Sequence, residues 1–354
     1  MITFTLALLV AATNPESANA IADGIVQHDQ IPAAGIALVR CESLDAAVSG
    51  ITSNSHSLPT EALAESRFSL GSNAKSYLAT AAAAIIDQGL ARWDMTVAES
   101  GAFELNEDNP NYHVTLYELL THTSGIASYS SGRDLDELVI DSESSVAPHI
   151  QFARLALESP SAGARGDYLY SNAGPVVAAT ILEHLTGLGW LDIIDLYVLE
   201  AWGVGAQLAA PVSDDPAHLF GHYAEDEGLA VYALEEPEIP PFLHPAGYLS
   251  VTIEEYARYL QRHLCGLQGF SSGGLSPTSV AELHAPAPGT QSAIGWAYGE
   301  VQGANWSYHV GTTGTHYAYA AINPELDRAF AVLVNSGTPQ AGQAALSTLL
   351  DLME

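Results

Sequence analysis

The chain is 354 residues long and carries 41 acidic against 10 basic side chains, a formal net charge of −31 at pH 7. Such a field repels nucleic acid, anionic membrane surfaces and, at long range, anionic substrates. Charged residues are only 14% of the chain, so the imbalance reflects scarce lysine and arginine rather than acidic tracts, as a saline or acidic habitat would favour.

Residues 2–12 form a short apolar run that leads to Ser17-Ala18-Asn19-Ala20, where Ala-x-Ala resembles a signal-peptidase site, although the expected positive start is missing. On this reading residues 1–20 are a signal peptide and the protein is exported, periplasmic or secreted; without cleavage it is cytoplasmic. The run is too short for a lasting anchor and no later segment is longer, so stable membrane insertion is not expected. Residues 21–30 read as an amphipathic helix, and 34–40 and 46–51 as strands. The stretch 68–89, FSLGSNAKSYLATAAAAIIDQG, reads as a sharp turn at Gly71, a helix continued by alanines, and a stop at Gly89. Helical patterns follow at 115–120, 147–158, 174–185 and 191–199, separated by Gly, Pro, Ser and Asp clusters. A further helix at 252–264 precedes extended runs at 293–301, 305–310, 316–322 and 329–335, and a last helix covers 340–352. Strands at both chain ends imply an α+β fold: an antiparallel sheet of about five strands built from 21–70 and 250–354, flanked by helices. Residues 71–249 make a largely helical lobe, with the cleft between the two. Cys41 and Cys265 lie far apart without metal-site neighbours and read as buried free thiols in preference to a bridge.

Chemistry concentrates in Ser72-Asn73-Ala74-Lys75. A serine three residues ahead of a lysine on a helix shares its face, so hydroxyl and amine meet. Serine is a weak nucleophile until a base takes its proton, and an amine does so only when neutral, which burial favours. Arginine cannot take that part, and Lys75 is the only lysine in the chain. The helix start also favours negative charge at Ser72. Two further groups fit the same chemistry. In Tyr170-Ser171-Asn172 a phenol that can move a proton stands two residues from a carboxamide, although a turn with a helix cap explains the triplet equally well. In His309-Val310-Gly311-Thr312, at a strand end, Gly311 allows close approach of a substrate backbone and the Thr312 amide can serve an oxyanion, although a lone strand-end histidine is more often simply packed.

Taken together, in this order, the three motifs resemble those of the penicillin-recognising serine hydrolases: class C β-lactamases, D-amino-acid-specific carboxypeptidases and aminopeptidases, and related esterases. That family carries Ser-x-x-Lys, Tyr-x-Asn, and Lys-Thr-Gly or a His-x-Gly replacement. IPAAGIALV near the start, LLTHTSGI at 119–126, PAGYLSVTIEEYARYL at 245–260 and the HVGTTGTHYAYAAINPELDRAFAVLVNSG stretch also match, so the similarity spans about 21–340. The resemblance implies a β-lactamase-like fold and an acyl-enzyme mechanism without cofactor or metal, acting on a small ester, amide or lactam. It implies Ser72 as nucleophile, Lys75 as its activating amine and Tyr170 as proton relay to the leaving group. Asn172 would orient Lys75 and the substrate carbonyl, and the amides of Ser72 and Thr312 would form the oxyanion hole. His122, within LLTHTSGI, reads as structural. His309 departs from the lysine usual in lactamases and carboxypeptidases; a neutral ring attracts a substrate carboxylate weakly. The expectation is therefore an esterase, with β-lactamase or D-amino-acid peptidase as the alternative.

Three rivals remain. Gly269-Phe270-Ser271-Ser272-Gly273 matches a Gly-x-Ser-x-Gly elbow but lacks the strand before it. His218 and His222 have a metal-pair spacing without a third ligand. A slowly deacylating binding protein or sensor would keep Ser72 but has less need of Tyr170 and Asn172.

Overall fold

A computed structural model describes residues 17–29, 31–55, 60–130, 135, 138–208, 219–225, 228–231 and 239–354. Helix α1 (Ala18–Asp29) leads into β1 (Ala33–Val39) and β2 (Leu44–Gly50). Short strands β3 (Arg67–Ser69), β4 (Gln207–Leu208), β5 (His222–Glu225), β6 (Gly228–Val231) and β7 (Leu249–Thr252) follow, separated by helices that include α2 (Ala74–Asp87), α3 (Pro148–Glu158) and α4 (Ala173–Thr186). The chain then forms α5 (Ile253–Leu267), α6 (Pro277–His284), β8 (Ala297–Val301), β9 (Ala304–Thr312), β10 (Tyr317–Asn323), β11 (Arg328–Val334) and α7 (Pro339–Met353).

The main sheet is antiparallel, in the order β2-β1-β11-β10-β9-β8, so the two chain ends meet where Ile36 of β1 faces Val332 of β11. It has six strands rather than about five. The edge strand β8, which falls within the expected extended run 293–301, is joined to β9 by a two-residue turn with positive φ at Gln302 and Gly303, the geometry that suits the twist of a hairpin.

Alternation along the central strands builds two cores. On one face Ala33, Ala37, Val39, Ala329, Ala331 and Leu333 join the larger cluster with Leu78 and Ile85 of α2 and Leu260 of α5. On the other, Ala34, Ile36, Phe330, Val332 and Val334 pack with Ala22 and Ile25 of α1 and Ala345 and Leu349 of α7. Strands covered on both faces read as continuous apolar runs, which is why β1 and β11 are recognisable without strict alternation in sequence.

The two cysteines are bonded to each other, which corrects their reading as free thiols. Cys41 follows β1 and Cys265 lies in α5, which packs across β1 and β2; this brings their Cα atoms to 5.1 Å despite 224 residues between them. That separation suits a disulfide, and only the folded sheet creates it.

Candidate active site

Ser72 occupies a tight 3-10 turn, Gly71–Asn73, that runs straight into α2. The turn is pressed against the end of β9. Gly71 has φ +51°, and a Cβ there would lie 2.7 Å from backbone atoms of Thr312. A Cβ on Gly311 would lie 2.1 Å from the Leu70 carbonyl oxygen and 2.9 Å from the Ser72 nitrogen. Gly311 is therefore required first by the contact between the Ser72 turn and β9, a closer constraint than the substrate approach suggested by sequence. The same contact brings the Thr312 backbone alongside the turn that carries Ser72.

Lys75, one turn on, is 1% exposed. Its Nζ donates to Ser72 Oγ at 2.9 Å and to the Ala246 carbonyl at 2.7 Å. The intervening Asn73 is fully buried and donates to Tyr256 Oη and the Ala318 carbonyl, which ties the start of α2 to α5 and the sheet. Ala246 was not singled out by sequence reasoning. It acts through a backbone carbonyl, and its only sequence signal was its place in the matched 245–260 stretch.

The second half of the site is built from two loops. Segments 122–129 and 162–172 run side by side, joined by hydrogen bonds from Leu169 N to His122 O (2.8 Å), Gly166 N to Thr123 O (2.8 Å) and Asn172 N to Ser128 O (2.8 Å). Ser128 Oγ donates to the Tyr170 carbonyl and Ser171 Oγ to the Ala127 carbonyl. The Ser171 hydroxyl also accepts from the amides of Ala173 and Gly174, capping α4. This pairing sets the Tyr170 Oη 2.7 Å from Ser72 Oγ and the ring centroid 5.3 Å from the Lys75 Nζ. Asn172 Oδ1 lies 3.4 Å from Tyr170 Oη, while its Nδ2 donates to the Tyr129 carbonyl. Among the described residues the carboxamide thus bonds Tyr170 and Tyr129, where sequence reasoning had it orienting Lys75.

Burial pushes the Tyr170 phenol up, but the Lys75 charge and hydrogen bonds from Lys75 and Ser72 outweigh it, and the phenol ionises more easily than free tyrosine. Two buried histidines stand near. Burial, reinforced by the Lys75 charge, lowers His309 to about 3, and His122 is likewise lowered to about 3. His309 Nδ1 donates to the Val310 carbonyl, which leaves Nε2 of the neutral ring as an acceptor. Both rings, with Tyr168, Tyr170, Trp296 and Tyr308, line a cavity of about 380 Å³ that contains no lysine or arginine among its described lining residues. Tyr170 in this wall connects the cavity to Ser72.

The rival sites are not assembled. Ser271 is exposed in the turn after α5 with no strand before it. His222 is buried and has both ring nitrogens engaged, Nδ1 donating to the Asn335 carbonyl and Nε2 accepting from the Asn54 amide; its proposed partner His218 lies outside the described residues.

Residues 18–352 match the β-lactamase family. Penicillin-binding protein 4 of Amycolatopsis lactamdurans is 24% identical over 336 residues, 89% of this chain and 84% of that protein. The octameric penicillin-binding protein homologue of Pyrococcus abyssi superposes with a TM-score of 0.75 at 21% identity, covering 94% of this chain and 76% of the other. A class C β-lactamase from Rhodobacter sphaeroides gives 0.71 at 17% identity, with 95% and 98% coverage. At these identities the superpositions establish the fold. The match from near the start of α1 to the end of α7 settles the rest: the chain belongs to the β-lactamase family and is a serine hydrolase of the acyl-enzyme type.

Proposed function

We propose that the protein hydrolyses carboxylic esters without a substrate carboxylate, with Ser72 as the acylated nucleophile. The observation that carries this reading is His309. Its ring is buried and neutral down to about pH 3, and its free nitrogen is a lone-pair acceptor. Such an atom repels a carboxylate where a lysine would bind one. The cavity wall offers no lysine or arginine among the described residues, and the net charge of −31 works in the same direction.

In the proposed reaction Tyr170, eased towards its phenolate by Lys75, takes the proton of Ser72 Oγ as that oxygen bonds to the ester carbonyl carbon. The negative charge moves to the carbonyl oxygen, which the amides of Ser72 and Thr312 stabilise, a contact typically worth ~10²- to 10³-fold per donor. When the tetrahedral adduct collapses, the carbon–oxygen bond to the alcohol breaks and Tyr170 returns the proton to the leaving alkoxide. Water then repeats the sequence on the acyl-enzyme and frees the acid. Lys75 Nζ stays hydrogen-bonded to Ser72 Oγ and the Ala246 carbonyl, and Asn172 holds the phenol.

The test is a comparison of kcat/KM on a p-nitrophenyl short-chain ester, a chromogenic cephalosporin and a D-alanine p-nitroanilide, with Ser72→Ala as control. Ester turnover at least tenfold above the others, lost in the control, is expected. Dominant cephalosporin turnover would instead support the lactam reading, which the similarity to a penicillin-binding protein favours.

A further inference from the structure

His122 has no part in the chemistry above, yet among the described residues it is one of four other than glycine with positive φ, at 58°. A left-handed histidine is sparsely populated and persists only where its surroundings over-determine it. Here two hydrogen bonds and two ring contacts converge on one segment. The His122 carbonyl accepts the Leu169 amide at 2.8 Å, and its Nδ1 accepts the Ser171 amide at 3.3 Å. Between these two rungs the ring lies 4.6 Å from the Tyr170 ring, and 6.3 Å from that of Tyr168. The Ser128 and Ser171 hydroxyls fix the backbone of this segment, bonding the Tyr170 and Ala127 carbonyls. We propose that His122 is a positioning residue: by accepting the Ser171 amide it aims the Tyr170 hydroxyl at Ser72.

The assignment rests on the reading of Ser72 and Tyr170 as the reacting pair. It also explains why the neutral ring matters, because a protonated imidazole has no acceptor for the Ser171 amide. Misplacing a reacting group by about 1 Å is enough to cost ~10²-fold in rate.

The experiment compares His122→Asn with His122→Gln in the full chain. Asparagine places Oδ1 where Nδ1 stands and tolerates positive φ, whereas glutamine carries its acceptor one bond too far. On the p-nitrophenyl ester, His122→Asn is expected to keep kcat within about fivefold, and His122→Gln to lose at least tenfold with KM changed by less than threefold. In a Tyr170→Phe background the glutamine substitution should cost nothing further, because its effect passes through that phenol. Equal kcat in the two variants, a loss confined to KM, or a full additional loss in the Tyr170→Phe background would overturn the proposal. Should the glutamine chain not fold, a folded His122→Asn chain that loses more than tenfold does the same. Fluorophosphonate labelling that survives Ser72→Ala would instead remove the underlying reading, whatever the His122 variants do.

Discussion

The two halves of the site are held by different kinds of structure. Ser72 and Lys75 sit at the start of a buried helix, and the turn beneath them is locked to β9 by glycines whose Cβ positions are already occupied by backbone. Tyr170 and Asn172 sit on a loop that is zipped to a second loop by single hydrogen bonds, several of them from side chains. The first arrangement has no intermediate settings, because a backbone clash cannot be relieved by turning a side chain. The second is a sum of small terms, each of which can be removed singly. Ser72 is thus fixed by packing, and Tyr170, the group proposed to handle its proton, is adjustable.

The sharpest way to break this contrast is Gly311→Ala. With Leu70 O at 2.1 Å from the new methyl group, β9 or the Ser72 turn must move. We expect a loss of more than about 3 kcal/mol of stability in denaturant unfolding, together with fluorophosphonate labelling. A folded, fully active alanine variant would show that the turn yields. The next effect belongs to the adjustable half. Tyr170→Phe removes a proton carrier but no packing, so kcat should fall ~10²- to 10⁴-fold while the melting temperature stays nearly constant. In the parent enzyme the acid limb of kcat should fall below the ordinary tyrosine value of 10, since the phenol is lowered. An unchanged limb in the phenylalanine variant would assign it to another group.

The most gradual effect is that of acid, and it acts on both halves. His122 and His309 line the cavity, His263 and His284 form a buried hydrogen-bonded pair behind α2, and His222 fastens β5 to the sheet; burial lowers all five below the usual 6.5. A lowered histidine is protonated in the unfolded chain before the folded one. Each therefore leaves stability intact above about pH 6.5 and removes ~1.4 kcal/mol per pH unit below it, until its own folded value is reached. Melting temperatures measured from pH 7 to 4 should drop steeply below about 6, and His222→Gln should lessen that slope. A flat profile would mean these rings gain protons without unfolding.

Much of this was legible in sequence, and the boundary is physical. Helix and strand positions follow from periodicities that local residues carry, and the Ser72–Lys75 contact is a property of one helical turn. Tyr170 and His309 were found because their neighbours form short motifs. What escaped depends on elements distant in the chain. Nothing near Cys41 announces Cys265, no side chain marks the Ala246 carbonyl, and the true neighbour of Gly311 is a carbonyl some 240 residues earlier, at Leu70. His122 was visible as part of LLTHTSGI, but its contacts with Leu169, Tyr170 and Ser171 exist only once the two loops are paired.

Lys75 carries one more consequence. As the only lysine, and one almost sealed from water, it leaves the surface of the folded protein with no side-chain amine for acylating reagents to reach. Acetylation of the lysine by a water-soluble reagent must wait for the site to open. Its rate, read in a Ser72→Ala chain as a single mass increment on the Lys75 peptide, therefore times the breathing of the active site without a probe being introduced.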